Sequence, residues 1–484
     1  MLTLTDLFCG AGGSSTGAIQ VAGVEVRIAS NHWDLAVETH NTNHPDADHL
    51  CADLSQIDPR YFPTTDILWA SPECTNHSVA KGRKRVGAQP DLFGEILPDA
   101  ASERSRATMW DVPRFAEVHH YSAAIVENVV DAWHWVPFRA WLMAMDSLGY
   151  DHHIVMLNSM HAHGFGAGAP QSRDRMYVVF WRKGNTRPDL DRVNRPNAIC
   201  SECGPVAAMQ SFKKPDSAWG RYRAQYVYRC PSVQCRNQIV EPLFRPAADI
   251  IDWTLEGVRI GDRSKPLAEK TMARIQAGID RYWAPLIVEA AGNTYDSADP
   301  KHPAHGRPDG YMRAWPTSDP LRTVHTTMSK AIAVPVEGRD GKQALPVDHP
   351  LRAFIAELRG GGSKHRPVSD PLCTVTASGN HHGLVTPAGG TWRDRATSTD
   401  EPIPTRTTRE TDGIAVADRP TVDIDDVRFR MLEPREIIAA MDFPTEYIVL
   451  GNRCEQVRMA GNAVTPPAAR DLVGVVAESL GVVA

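Results

Sequence analysis

"LTLTDLFCGAGGSSTGAIQVAG", residues 2–23, sets a cluster of glycines between a short β-branched and apolar run and a segment of helical texture. Gly10, Gly12 and Gly13 would permit a tight turn there and let a ligand approach the backbone at a helix amino terminus. The strand–glycine–helix order predicts the first β–α unit of an open α/β sheet, whose ligand crevice lies beyond the carboxyl ends of the strands. The spacing is not the G-x-G-x-x-G of dinucleotide binders. After the next strand, Ser30-Asn31-His32-Trp33-Asp34 stands where an acid would hold a ribose. Trp33 offers a stacking face for an adenine. Asp53, in "CADL", is placed either to take an adenine amino group or to sit exposed in a turn.

Working outward, candidate strands Thr3–Leu7, Glu25–Ala29, Ile67–Ala70, Ala123–Glu127, His153–Leu157 and Met176–Trp181 alternate with helix-like segments. That is the pattern of a parallel sheet covered by helices. Gly184 to Pro196 is polar and proline-bearing, a domain boundary. From about residue 300 to 416 the chain is rich in Pro, Thr, Gly and His, and it repeats itself loosely at 317–335, 368–387 and 398–416. Each copy is an Asp/Glu-Pro turn followed by alternating Thr and Val-like residues, which predicts a β-rich domain rather than a Thr/Pro-rich linker. After Asp418 helical spacing returns at Glu433–Met441 and Ala468–Leu480, so the chain is expected to end by rejoining its first domain.

Composition sets outer bounds. The chain has 484 residues, 42% hydrophobic and 23% charged, an ordinary globular balance long enough for more than one domain. Its formal charge of -6 does not mark a polyanion binder as a whole. Contact with nucleic acid would fall to local patches, Lys81, Arg83, Lys84 and Arg85, or Arg221, Arg223 and Arg229. No apolar span reaches about 20 residues, and no basic segment precedes an apolar core near the start. A soluble cytoplasmic protein with no membrane partner is expected. Nine cysteines, an odd number scattered over the chain, suit reduced thiols or metal ligands better than a disulfide framework.

Three further stretches carry chemistry-bearing side chains. "DILWASPECTNHS" (66–78) ends an apolar run in a thiol, Cys74. "AAIVENVVDAW" (123–133) closes a strand with Glu127, which at a parallel edge would share a crevice with Cys74 and otherwise would cap a helix. "GAPQSRDRMYVVFW" (168–181) places Arg173 and Arg175 before a strand, a pair suited to phosphate or a base carbonyl.

Taken in order, "DLFCGAGG", Pro72 with Cys74, "ENV" at 127–129, "QSRDR" at 171–175, "RMLEPREIIAAMDFP" at 430–444 and "AGNAVTPPAA" at 460–469 resemble the cytosine-5 DNA methyltransferase family. The resemblance implies a Rossmann-like α/β fold, S-adenosylmethionine as cofactor and double-stranded DNA as partner, bound by a monomer in a restriction–modification setting. It implies Cys74 as nucleophile toward carbon-6 of a flipped cytosine. Glu127 would stabilise the ring nitrogen and amino group, Arg175 the base carbonyl, and Arg173 a phosphate or loop groups. Phe8, Gly10, Gly12, Gly13, His32, Trp33, Asp53 and Asn462 are the implied cofactor contacts. Cys9, Cys51, Cys373 and Cys454 are assigned to packing. Two departures stand out: Pro72-Glu73-Cys74-Thr75 replaces the family's usual Pro-Pro-Cys-Gln, and His32 replaces the ribose-binding acid.

The unmatched middle corresponds in position to a target-recognition region. In it, Cys200-Ser-Glu-Cys203 and Cys230-Pro-Ser-Val-Gln-Cys235 form two close pairs separated by a hairpin's length, the pattern of a four-thiolate zinc ribbon. Four unrelated buried thiols are the alternative. The reading is therefore a catalytic domain from residues 1–195 and 420–484, a zinc ribbon at 196–245 and a β-rich target-recognition region at 246–419. An RNA cytosine-5 methyltransferase and a catalytically silent DNA-binding protein are the rival functions. The large insert argues against the first and intact Cys74, Glu127 and Arg175 against the second.

Overall fold

The computed structural model describes residues 1–72, 108–269 and 424–482, with short stretches between 271 and 413. A seven-stranded sheet organises the chain: β1 (Leu2–Leu7), β2 (Val24–Asn31), β3 (Asp48–Cys51), β4 (Ile67–Ala70), β5 (Ala123–Asn128), β6 (Tyr150–Asn158) and β7 (Asp174–Arg182). Their order is β3-β2-β1-β4-β5-β7-β6. All six sequence-predicted strands are present, with β3 added. β1 to β5 pair in parallel, but β7 runs antiparallel to both β5 and β6, so the sheet is mixed rather than all-parallel. The strand order reverses between β1 and β4, where ligands of such sheets bind.

Alternation divides the central strands between two cores. Leu68, Ala70, Ala124, Val126, Val178 and Phe180 face one side, against helices α3 (Asp111–His119) and α4 (Phe138–Ser147). Ile67, Trp69, Ile125 and Val179 face the other, against the final helix. Strands buried on both faces read as continuous apolar runs.

Helices α1 (Gly13–Ala18) and α2 (Asp34–Asn43) follow β1 and β2. At the end of the chain come α5 (Pro434–Ala440), α6 (Arg453–Asn462) and α7 (Pro466–Ser479). Capping boxes start α5 at Glu433/Glu436 and α6 at Asn452/Glu455. Helix α7 lies against α1, so closely that a Cβ on Gly17 would stand 2.3 Å from the Pro466 carbonyl oxygen. The Asp471 carboxylate accepts from the backbone N–H of Gly164 (2.6 Å) and Phe165 (3.0 Å), tying α7 to the β6–β7 connection. Leu190 and Val193, inside the polar boundary segment, are buried in the same core as α7.

Residues 197–240 form a cysteine-bearing module. It comprises the hairpin β8 (Asn197–Cys200)/β9 (Gly204–Ala207) and a three-stranded sheet of β10 (Met209–Phe212), β11 (Tyr226–Arg229) and β12 (Ile239–Val240). Cys200, Tyr222, Tyr226, Tyr228, Cys230 and Cys235 belong to the same buried cluster as Phe115 and Trp141, so this module shares a core with the α/β sheet. Beyond it, Val258–Arg259, Leu286–Glu289, Ala314–Pro316, Lys330–Val334 and Arg428–Met431 build a five-stranded antiparallel sheet. The three repeat copies lie for the most part outside the described residues. Among the described residues, no helix is long and apolar enough to cross a membrane.

Candidate active site

At the carboxyl edge of the sheet the chain leaving β4 is pinned on two sides. The Ser71 N–H donates to the Leu7 carbonyl (3.1 Å) at the end of β1, and the Asn128 amide donates to the Pro72 carbonyl (3.3 Å) from the end of β5. Asn128, part of the quoted "ENV", is a positioning residue that sequence reasoning passed over. Cys74, with Glu73 and the basic patch Lys81 to Arg85, lies outside the described residues. It follows Pro72 by two positions.

Glu127 lies within β5 rather than at a helix start, which removes the capping alternative. Its carboxylate is 2.8 Å from the Arg175 Nε, and both side chains are mostly buried. Arg175 stands one residue beyond the last β5–β7 rung, Asn128↔Met176. A carboxylate and a guanidinium thus meet beside the strand end that presents Pro72.

Arg173 goes elsewhere. It is 1% exposed, and its Nη2 donates to the carbonyls of Gly461 and Ala463, each at 3.0 Å. In the structure it holds the backbone carbonyls at the carboxyl end of α6. The arginines of the middle patch are also engaged: Arg221 with Asp131 (2.5 Å), Arg223 with Glu241 (2.7 Å) and Arg229 with the Asn237 carbonyl (3.1 Å). Two of the three are thus paired with carboxylates, and the Arg223 side chain stays more than half exposed.

The glycine cluster divides by role. Gly10 has φ +54° and nothing within 4 Å of an added Cβ, the open cradle a ligand can use. At Gly13 a Cβ would lie 1.9 Å from the Val464 carbonyl oxygen, and at Gly12 2.6 Å from the Tyr447 hydroxyl. These two are small because the C-terminal segment docks there. Phe8 also adopts the left-handed region, at φ +60°. Exposed His32 and half-buried Trp33 follow β2 at the same edge, with the Arg458 guanidinium 4.7 Å from the Trp33 ring centre. Exposed Asp53 caps the turn after β3, accepting from Ser55 N at 3.1 Å. Asn462, between the two carbonyls that hold Arg173, is exposed.

Beneath the loop is a buried polar network that the sequence did not announce. Asp6 accepts from the Ser14 and Ser15 hydroxyls, both at 2.6 Å, yet burial outweighs them and raises its carboxyl to about 6. His40 contacts Ser15 Oγ at 2.9 Å and His44 contacts Thr16 Oγ1 at 3.1 Å. Burial holds both imidazoles below their usual range, His44 at about 4. Their i, i+4 spacing on α2 was the available signal.

The four cysteines of the module converge. The sulfurs of Cys200, Cys203, Cys230 and Cys235 all lie within 4.8 Å of one another. Burial raises the Cys200 thiol, but hydrogen bonds from Gln238 and the backbone of Glu202 and Cys203 prevail and bring it down to about 6. Of the cysteines assigned to packing, Cys9 is buried, Cys51 and Cys454 are exposed, and Cys373 is outside the described residues. For Cys51 and Cys454 the packing assignment is therefore wrong.

The sequence profile described as C-5 cytosine-specific DNA methylase matches residues 2–217 and 373–478. The chain belongs to this family. Among curated methylases it is similar to the Type II methyltransferase M1.ScrFI of Lactococcus lactis subsp. cremoris, 27% identical over 36% of this chain and 40% of the relative. M.SsoII of Shigella sonnei is 27% identical over 38% of this chain and 44% of the relative. M.HhaI of Haemophilus parahaemolyticus is 27% identical over 37% and 49% respectively. The chain spans less than half the length of these three relatives.

Proposed function

We propose that the chain is a DNA (cytosine-5-)-methyltransferase acting on a cytosine flipped out of double-stranded DNA, with S-adenosylmethionine as methyl donor. The observation that carries this reading is the Glu127–Arg175 pair at 2.8 Å beside the strand end that presents Pro72. Carbon-5 of cytosine is a weak nucleophile until something adds at carbon-6. The Cys74 thiolate would form that bond, pushing electron density to carbon-5. Glu127 would bond the ring nitrogen and amino group as charge develops there, and Arg175 the base carbonyl. Once carbon-5 carried the transferred methyl group, loss of its proton to solvent water would re-form the 5,6 double bond and expel the thiolate. A base inside the duplex cannot reach this edge, so it must be extruded.

The cofactor would supply a sulfonium methyl group. The open cradle at Gly10 supports its placement there, with Trp33 as a stacking face and Asp53 and His32 near the ends of neighbouring strands. Phe8 and Asn462 would complete the pocket, while Gly12 and Gly13 would serve it indirectly by seating the C-terminal segment. A structural zinc in the cysteine module fits the donor set. Cys200, Cys203, Cys230 and Cys235, four thiol sulfurs within 4.8 Å of one another, would hold it as thiolates.

By role, residues 1–195 and 420–484 would form the catalytic part, 196–245 the zinc ribbon and 246–419 the target-recognition region. A monomeric cytoplasmic enzyme of restriction–modification completes the proposal.

The test is a DNA duplex carrying 5-fluorocytosine at the target, located by bisulfite sequencing of DNA from expressing cells. Fluorine cannot leave as a proton does, so a covalent complex should accumulate with cofactor present. Cys74→Ala should abolish both trapping and turnover. Normal turnover in that variant would end the mechanism.

A further inference from the structure

We propose that the loop Trp219–Tyr222 of the cysteine module is a clamp that positions the Glu127–Arg175 pair, making Arg221 and Trp219 positioning residues for methyl transfer. The proposal rests on the methyltransferase reading for its rate prediction but not for its structural one.

The β5–β7 ladder ends at Asn128↔Met176. Past that rung β5 runs into the turn Val130–His134, while Arg175 and Asp174 stay paired with Leu157 and Asn158 of β6. The clamp loop is bonded to both. On the β5 side the Trp219 indole N–H donates to the Val130 carbonyl (2.8 Å), and Arg221 pairs with Asp131 (2.5 Å). On the β7 side the Tyr222 N–H donates to the Asp174 carboxylate (2.9 Å), whose residue lies between the two motif arginines. Asp174 is half-buried, with its carboxyl raised to about 6 by desolvation despite the Tyr222 hydrogen bond.

The result is a bracket across the open end of the strand pair. The catalytic carboxylate and guanidinium reach from its two arms, three to four residues from Val130 and Asp131 on one side and one residue from Asp174 on the other. A displacement of either arm changes a 2.8 Å ion pair directly. Chemistry of this kind is sensitive to displacements of about an ångström. Module and catalytic strands also share one core, so the bracket has a rigid base.

The test uses the full chain and three variants: Arg221→Ala, Arg221→Lys and Trp219→Phe. Two readouts are needed. The first is the Arg175 Nε–H signal in protein labelled with 15N-arginine, assigned with Arg175→Lys. It should shift or broaden in Arg221→Ala and Trp219→Phe and return toward the parent in Arg221→Lys. The second is the single-turnover rate at saturating DNA and cofactor. It should fall at least tenfold in Arg221→Ala and recover substantially in Arg221→Lys, with cofactor affinity unchanged. If Arg221→Ala does not fold, Trp219→Phe, which keeps a ring and loses only the N–H, decides. An unmoved Arg175 signal in a folded variant overturns the proposal. So does a parent-like saturated rate accompanied only by weaker DNA binding. If the parent chain transfers no methyl group while the Arg175 signal responds, the methyltransferase reading fails and the clamp stands.

Discussion

Replacing Arg173 by Met separates a structural arginine from a catalytic one. The guanidinium is 1% exposed and donates two 3.0 Å hydrogen bonds to the carbonyls of Gly461 and Ala463, some 290 residues away in sequence. A hydrogen bond to a charged group contributes about 1.5–3 kcal/mol, and truncation leaves the partner acceptors buried and unsatisfied. Methionine restores most of the volume but neither donor. We therefore expect a loss of about 3–5 kcal/mol, large against a typical stability of roughly 5–15 kcal/mol. On the usual scale that lowers the melting temperature by on the order of 10 °C. Because Val464 abuts Gly13, the glycine loop should loosen too, and S-adenosylmethionine binding should weaken. Arg175→Met, which leaves the mostly buried Glu127 carboxylate unpaired, should also cost stability but, unlike Arg173→Met, should abolish turnover in the protein that remains folded. Urea unfolding followed by circular dichroism, with calorimetric titration of the cofactor, measures both. The reasoning fails if Arg173→Met unfolds within about 0.5 kcal/mol of the parent and loses only affinity for DNA.

The remaining predictions follow from the same contacts. Purified reduced protein should carry one zinc per chain, and Cys203→Ser should lose it; because the module shares its core with the sheet, that variant should also melt earlier as a whole, and metal analysis with calorimetry reads both. Gly13→Ala should be destabilised by several kcal/mol, since the new methyl would meet a backbone carbonyl, whereas Gly10→Ala should cost only about 1–2 kcal/mol of left-handed strain while weakening cofactor binding. For Asp6 the folded pKa, about 6, lies above the unfolded value, so the native state binds the extra proton and stability falls as pH rises from about 4 through 6. Asp6→Asn should remove that loss, gaining on the order of 3 kcal/mol over the parent at pH 7 and nothing below pH 4, as urea titrations across pH would show.

What the sequence could and could not disclose follows from which contacts are local. The runs at Ile67–Ala70, Ala123–Asn128 and Met176–Trp181 were legible as strands because both of their faces are buried, which leaves an apolar run whatever the strand's direction. Direction was less legible, although a signal existed. A parallel return needs a crossover that is usually helical, and "HGFGAGAP" at 163–170 cannot make one. With only the turn Ser159–His161 and the two-residue strand Gln171–Ser172 between them, β6 and β7 lie antiparallel.

The cysteine pairs were legible because each is a few residues long. That the tyrosines between them join the sheet's own core was not, since that burial depends on partners such as His161 and Asp174. The glycine loop shows the limit most plainly. All three glycines suited a ligand by residue type, yet only Gly10 faces open space. Gly12 and Gly13 answer to Tyr447 and Val464, as Arg173 answers to Gly461 and Ala463. A residue recruited by a segment more than 280 positions away carries the same letter as one recruited by a substrate. Only the fold separates the two, because the C-terminal segment fills one side of the cradle and leaves the other open.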